Sequence, residues 1–218
     1  MCPNLQLYQT SLDISPTECD RLWQFLSEDE RSRAARFKRE RLKISFIAAR
    51  GNLRIILAQW LNCEPREIYF QYGDRGKPYL QNNQEIYFNL AHSQDLAIYA
   101  VSRDREVGID LEFINPNCDV EGIAKRYFLP SEQQVIKDLG DRHKDLAIQA
   151  FYRAWTLKEA YGKATGAGIA NLLKSLEVTP LLASPIDETL QIDDWQLKLI
   201  STELAIASSY ASALCVRK

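Results

Sequence analysis

The two longest helical patterns in the chain each precede a group of short strand patterns, and this repeat restricts the possible folds. Apolar residues recur at helical spacing over residues 42–61 and again over 145–164. Strand-like runs follow at 68–72, 86–90, 96–102 and 107–113 in the first cycle, and near 174–179, 195–201 and 205–216 in the second. The pattern predicts an α+β fold of two similar halves, 1–106 and 107–218, each with helices and a small antiparallel sheet.

Three positions carry the residue pair that caps the start of a helix. A serine is followed three residues later by Glu or Gln at Ser15–Glu18, Ser27–Glu30 and Ser131–Gln134. In such a capping box each side chain accepts a backbone N–H that the helix leaves unpaired. We therefore expect helices to begin near these three serines.

Composition places the chain among ordinary globular proteins. Hydrophobic residues make up 46% and charged residues 26% of the 218 positions, enough for a core that needs no metal or disulfide staple. The five cysteines are scattered and form no C-x-x-C pair. Neither a secretory leader nor an apolar run long enough to cross a bilayer is evident, so we expect a reduced, cytoplasmic protein without membrane contact.

Charge is distributed unevenly along the chain. The net charge of −2 does not indicate a nucleic-acid-binding protein. One segment, however, contains nine basic residues against a single acid, Glu40; the basic residues are Arg31, Arg33, Arg36, Lys38, Arg39, Arg41, Lys43, Arg50 and Arg54. Such a segment attracts anions even when the whole chain is slightly acidic.

The strand pattern at 107–113 contains two acids. Residues two apart on a strand point to the same face, so Asp110 and Glu112 would lie side by side while Ile109 and Leu111 enter the core. Two adjacent carboxylates repel each other unless a proton or cation lies between them, and oxygen ligands suit Mg²⁺. By itself such a pair is more often an acidic edge that faces solvent.

The second long helical pattern contains a further candidate group. Trp155, Glu159 and Lys163 are spaced four residues apart and fall on roughly one helix face. Glu159 could add a third carboxylate to a magnesium site, and Lys163 could bind a phosphate. The alternative is a surface ion pair of Glu159 with Lys163, with Trp155 in the core.

A third group precedes these two. Lys77 and Pro78 follow Gly76 in a turn, and His92, one of only two histidines, stands between a strand and a polar turn. Lys77 and His92 could both contact a phosphate, although a lone histidine at a strand end is more often a polar cap.

Taken together, the segments GKPY, FNLAHS, GIDLE and AWTLKEAYGK resemble the signature of the Sfp-type 4′-phosphopantetheinyl transferases. The upstream stretch FLSEDERSRAARF is similar to another pattern of that family. The resemblance spans about residues 27 to 170 and implies a fold of two halves related by a pseudo-twofold axis. It also implies transfer of the 4′-phosphopantetheine group of coenzyme A to a serine of an apo acyl or peptidyl carrier protein.

The resemblance assigns roles to individual residues. Asp110, Glu112 and Glu159 match the magnesium ligands, and Lys163 matches a lysine that contacts the pyrophosphate. Lys158 matches a lysine in the same wall of the active site. The 107–218 half would thus hold the magnesium and pyrophosphate site.

The other half would bind the nucleotide. His92 matches a histidine that binds a phosphate of coenzyme A, and Lys77 and Pro78 lie in the strip along the nucleotide. The segment with Arg33 and Arg50 would face the 3′-phosphate. Two departures weaken these nucleotide contacts: Ala91 replaces a serine, and Glu30 stands where some members have lysine.

The reaction needs a base, because the attacking serine must lose its proton. Glu159 is the first candidate, acting directly or through a metal-bound water, and Glu132, which matches a further acidic position of the family, is the second. Lys163 and a magnesium ion would stabilise the charge that builds on the departing 3′,5′-ADP.

Two other classes of function are compatible with parts of the sequence. One is a different magnesium-dependent phosphotransferase or nucleotide hydrolase, although the chain has no P-loop motif. The other is a non-catalytic binder of nucleotide or nucleic acid, which would leave the three carboxylates without a role. The resemblance favours a monomeric enzyme whose partners are coenzyme A and, transiently, a carrier protein.

Overall fold

The computed structural model describes residues 4–73, 76–83, 85–183 and 188–218. The first half contains β1 (Leu5–Ser11), α1 (Pro16–Trp23), α2 (Glu28–Ala35), α3 (Glu40–Leu61), β2 (Phe70–Tyr72), β3 (Pro78–Leu80), β4 (Ile86–Ser93) and β5 (Leu96–Arg103). The second half contains β6 (Val107–Phe113), α4 (Val120–Tyr127), α5 (Pro130–Gly140), α6 (Lys144–Thr165), α7 (Ile169–Leu172), β7 (Thr189–Ile192), β8 (Trp195–Leu199) and β9 (Tyr210–Arg217). Short 3₁₀ turns occupy Pro65–Glu67 and Thr179–Leu181.

The two main sheets have the same internal order. The first runs β1-β5-β4 and the second β6-β9-β8-β7, with all neighbours antiparallel. In each half the first strand pairs with the last, and the last pairs with the one before it. Strands β2 and β3 form a separate two-stranded hairpin. The predicted α+β fold of two similar halves is confirmed.

Three hydrophobic cores arrange these elements in four layers. One core joins α3 to the first sheet, a second joins α6 to the second sheet, and a third fills the space between the sheets. Ile98, Ile109 and Leu214 belong to this third core. Since side chains alternate along a strand, the even-numbered residues of β6 face α6 instead. Asp110 and Glu112 are therefore directed toward the helix that carries Glu159.

Helices begin within one residue of each of the three serines, as predicted, but the predicted pair makes cap hydrogen bonds only at the first two. The Ser15 hydroxyl accepts the backbone N–H of Glu18 at 3.2 Å, and the Glu30 carboxylate accepts that of Ser27 at 3.1 Å. Ser131 and Gln134 are wrong as the capping pair of α5, because this helix begins at Pro130 and Glu132 accepts the backbone N–H of Leu129. This places Glu132 in a cap.

The predicted strand near 174–179 is also wrong. This apolar run has no regular strand and leads into the 3₁₀ turn at Thr179–Leu181. Its buried side chains, among them Leu176 and Val178, pack in the same core as α6. Within the described residues, none of the helices has the length and apolar character needed to cross a bilayer.

Gly108 allows β6 and α6 to approach closely. A Cβ atom on Gly108 would lie 2.1 Å from the carbonyl oxygen of Ala160 and 2.3 Å from the backbone nitrogen of Ala164. We expect Gly108→Ala to lower the free energy of unfolding by roughly 1–3 kcal/mol, because strand and helix must separate. Urea denaturation measures this change. Gly73→Ala, whose Cβ would meet its nearest atom at 3.8 Å, is the control, and an equal loss in both variants would contradict the prediction.

Candidate active site

Strand β6 and helix α6 bring four predicted residues together. The Nζ atom of Lys163 donates to Oδ1 of Asp110 at 2.6 Å. The Asp110 side chain is only 5% exposed and that of Lys163 is 32% exposed. The second carboxylate oxygen of Asp110, Oδ2, is buried without a hydrogen-bond partner among the described residues. Such an orphaned acceptor is costly to bury, which points to a missing partner.

The carboxylates of Glu112 and Glu159 complete an acidic cluster with Asp110. Burial raises the pKa of Glu112, and the negative charge of Asp110 raises it further. Burial and the same charge raise the pKa of Glu159. The pKa of Asp110 is raised by burial too, against the opposing effect of Lys163. All three groups therefore gain from a cation that neutralises the cluster.

The three carboxylates are the type of ligand that magnesium prefers, but they do not surround a common position. Over the described ranges, no group of three or more His, Cys, Asp or Glu side chains is arranged to hold a metal ion. The orphaned Oδ2 of Asp110 and two adjacent carboxylates nevertheless offer the hard oxygen ligands that Mg²⁺ prefers. A metal bound here would need these carboxylates to come closer together than they lie in the free protein.

Strand β4 supplies a second wall of the cluster. Ser93 Oγ donates to Oε2 of Glu112 at 3.3 Å and accepts the backbone N–H of Phe113 at 3.0 Å. Asn89 Oδ1 accepts the backbone N–H of Ile109 at 2.9 Å. These two polar residues join β4 to β6 and fix the position of Glu112. Sequence reasoning gave neither of them a role, although both belong to the segment FNLAHS.

His92 lies next to this contact and near Lys163. Partial burial of its ring and the positive charge of Lys163 lower the pKa of His92. The imidazole is therefore neutral at pH 7, with one nitrogen able to donate and the other able to accept. His92 and the three carboxylates are thus all close enough to Lys163 for its charge to affect their pKa values.

Lys77 has a different set of partners. Its Nζ atom donates to the carbonyl oxygen of Ala164 at 3.0 Å and lies 3.4 Å from that of Val107. Burial lowers the pKa of Lys77. Lys77 and Pro78 also line a cavity of about 470 Å³, with Glu106 and Thr165 among the other lining residues. Lys77 therefore links the β2–β3 hairpin to the C-terminal end of α6.

Arg50 is not available at the surface, contrary to the expectation that it faces the 3′-phosphate. Its guanidinium is buried and bonds Oε1 of Glu30, with Nε at 2.7 Å, and lies 4.5 Å from the ring centre of Phe70. Arg54 bonds the other oxygen of Glu30 at 2.6 Å. The glutamate that departs from the family pattern thus neutralises two arginines inside the first half.

Arg33, the other arginine expected at the 3′-phosphate, is exposed on α2. Its guanidinium lies 5.3 Å from the ring centre of Phe46 and lines an open depression with Arg36 and Phe37. Arg33 therefore keeps a cationic surface that an anion can reach.

Glu132 and Lys158 form a buried ion pair, which corrects the roles expected for both. Each side chain is 0% exposed, and Lys158 Nζ lies 2.9 Å from Oε1 of Glu132. Glu132 also accepts backbone N–H groups from Leu129 and Val178, each at 3.0 Å. Lys158 donates to the carbonyl of Leu173 at 3.1 Å and to that of Leu176. With every strong partner inside the protein, neither residue faces the acidic cluster, so the geometry supports a structural role.

Comparison with known proteins gives two family matches. The model of the 4′-phosphopantetheinyl transferase superfamily matches residues 106–215, and that of the 4′-phosphopantetheinyl transferase N-terminal region matches residues 13–104. These two matches meet at the junction of β5 and β6. The acidic cluster lies wholly within the first of them.

Several individual proteins are similar to the chain. The 4′-phosphopantetheinyl transferase HetI of Nostoc sp. is 44% identical over 171 residues, which cover 77% of this chain and 71% of that protein. A 4′-phosphopantetheinyl transferase of Bacillus pumilus is 31% identical over 207 residues, 92% of this chain and 83% of that protein. Among solved structures, a holo-(acyl-carrier-protein) synthase from Bacillus anthracis in complex with CoA (3′,5′-ADP) has a TM-score of 0.38 and 22% identity, covering 46% of this chain and 94% of that one.

Proposed function

This chain belongs to the 4′-phosphopantetheinyl transferase superfamily, and we propose that it moves the 4′-phosphopantetheine group of coenzyme A onto a serine of an apo carrier protein, releasing 3′,5′-ADP. The observation that carries this proposal is the convergence of Asp110, Glu112, Glu159 and Lys163 between β6 and α6. An acidic cluster with one lysine suits a substrate that brings a diphosphate and a divalent cation together.

Magnesium is the metal that the donor set fits. Asp110, Glu112 and Glu159 would hold it, and when bound it would stabilise negative charge on the diphosphate oxygens. The buried, unpartnered Oδ2 of Asp110 supports this assignment.

Two further side chains would act on the diphosphate directly. Lys163 is a flexible cation at the mouth of the cluster and can stabilise the charge that develops on the leaving phosphate. His92, neutral and near Lys163, can donate a hydrogen bond to a phosphate oxygen.

Glu159 is the general base in this proposal. Its raised pKa brings the carboxylate closer to the pH at which it works, which favours acceptance of the serine proton. Glu132, the other candidate, is completely buried and its oxygens are occupied by Lys158 and two backbone N–H groups. Glu132 is therefore not proposed as the base.

The nucleotide would bind along residues 1–106, with the metal and diphosphate on residues 107–218. Arg33 offers an exposed cation on the nucleotide side, and the β2–β3 hairpin with Lys77 and Pro78 covers a cavity at the junction of the halves. The proposal retains a monomeric cytoplasmic enzyme. The described cysteines are all free thiols, which suits a reducing compartment.

A direct assay tests the proposal. The protein is incubated with coenzyme A, Mg²⁺ and an apo carrier protein, and the carrier is weighed by mass spectrometry. We expect the carrier to become heavier by one phosphopantetheine group, with no change in a carrier whose acceptor serine is replaced by alanine. Cleavage of coenzyme A without a heavier carrier, tested across fatty-acid, polyketide and peptide carriers, would instead indicate a hydrolase.

A further inference from the structure

Lys163 is the counter-ion of the acidic cluster before any ligand binds. Among the described residues, it is the only cation whose charge lowers the pKa of all three carboxylates, Asp110, Glu112 and Glu159. The lowered pKa of His92 favours its neutral form. Lys77 donates to backbone carbonyls instead. The lysine thus stands where a divalent cation would neutralise the same carboxylates.

The contact between Lys163 and Asp110 is partly open to solvent, so Lys163 can leave it. Lys163 is about one-third exposed and has one direct side-chain partner among the described residues, Asp110 Oδ1. Its four-carbon stem can turn toward solvent or toward an incoming phosphate. Lys158, five residues earlier on the same helix, shows the opposite arrangement, because it is fully buried and bonded on three sides.

We propose that the ammonium of Lys163, bonded to Oδ1 of Asp110, opposes metal binding at the neighbouring Oδ2 in the free protein, so that metal and diphosphate each bind favourably only after it leaves that carboxylate. This inference rests on the proposed function for the identity of the diphosphate ligand. Either ligand alone must bear the full cost of breaking the Lys163–Asp110 pair. When both bind, the pair is broken once, so each ligand strengthens the binding of the other.

The proposal assigns Lys163 a second role beside its contact with the leaving phosphate. Lys163 lowers the affinity of the cluster for metal while coenzyme A is absent, and it moves onto the diphosphate when coenzyme A binds. A positioning role of this kind is visible in metal affinity, which a purely structural lysine would not control.

Binding of Mn²⁺, used as a spin-active stand-in for Mg²⁺, tests this directly. Free Mn²⁺ is counted by electron paramagnetic resonance during titration of wild type, Lys163→Met and Lys163→Arg, without and with coenzyme A. We expect Lys163→Met to bind Mn²⁺ alone about tenfold more tightly than wild type, within the usual range of coupling between sites. Lys163→Arg, which keeps the cation, should match wild type.

A surface lysine provides the control for the Mn²⁺ titration. Lys198→Met removes a lysine that pairs with Glu203 on the surface, and it should leave Mn²⁺ affinity unchanged. We also expect the gain in Mn²⁺ affinity caused by coenzyme A to shrink about tenfold in Lys163→Met. Equal or weaker Mn²⁺ binding by Lys163→Met would overturn the inference. Lys163→Gln, with folding checked by circular dichroism, gives the same test if the Met variant misfolds.

The titration with Mn²⁺ alone involves neither carrier protein nor transfer. If the carrier assay fails while Lys163→Met still tightens metal binding, the proposed function is lost and the role of Lys163 stands. If transfer is observed but Lys163→Met binds Mn²⁺ as wild type does, the proposed function stands and the role of Lys163 is lost.

Discussion

Replacing Glu132 by alanine should destabilise the protein by about 3–5 kcal/mol, because it leaves Lys158 as an unpaired charge in the core. The ammonium group of Lys158 is 0% exposed and cannot reach water without opening the packing around α6. The change also deprives the backbone N–H groups of Leu129 and Val178 of their acceptor. Urea denaturation followed by circular dichroism measures the loss. At the lower end of this range a small domain already gives up a large share of its stability.

Two variants make this result interpretable. Glu121→Ala removes an exposed glutamate from the first turn of α4 and should change stability by less than about 0.5 kcal/mol. The double replacement Glu132→Leu with Lys158→Met removes both charges and should recover much of the loss. A Glu132→Ala protein with unchanged stability but no transfer activity would show that Glu132 acts on substrate.

The correct part of the sequence interpretation concerned residues placed by local periodicity. Alternation along a strand put Asp110 and Glu112 on one face, and four-residue spacing on a helix put Glu159 beside Lys163. Both local arrangements agree with the electrostatics of the site, because the charge of Asp110 raises the pKa of Glu112 and the charge of Lys163 opposes the rise in the pKa of Glu159. What brings strand to helix is the close approach at Gly108, which the motif also contains.

The parts that were wrong depend on contacts between distant segments. Charged residues are expected at the surface, and nothing in the local pattern shows that Arg50 finds Glu30 or that Lys158 finds Glu132. A charge can be buried only when such a partner is present, and the partner lies on another element. The spacing of residues in the sequence therefore could not predict that these charged side chains are buried.

The missed loop has the same origin. The run after α7 has apolar residues typical of a strand, but the carbonyl groups of Leu173 and Leu176 accept from Lys158, and the N–H of Val178 donates to Glu132. An ion pair in the core thus takes the hydrogen bonds that a neighbouring strand would have supplied. Lys158 and Glu132 hold this segment against α6.

Replacing Asp110 by alanine should reduce phosphopantetheine transfer by roughly 10²-fold or more, equivalent to at least about 3 kcal/mol of activation barrier. Asp110 carries the oxygen that has no partner among the described residues and also accepts from Lys163, so its loss would remove the proposed metal ligand and release the lysine together. Folding should be retained, because Lys163 is partly exposed and can turn to solvent. The rate of carrier modification at saturating coenzyme A and Mg²⁺ measures the effect.

The matched control is Glu203→Ala, which breaks a carboxylate–lysine pair of similar geometry between Glu203 and Lys198 at the far side of the second sheet. Its transfer rate should equal that of wild type, and both variants should melt as cooperatively as wild type. Because one oxygen of the buried Asp110 has no partner within the described ranges, removing this side chain should relieve a desolvation cost. If Asp110→Ala is folded and transfers at the wild-type rate, the reacting phosphates do not bind at β6. Glu112 and Glu159 then also lose the roles given to them.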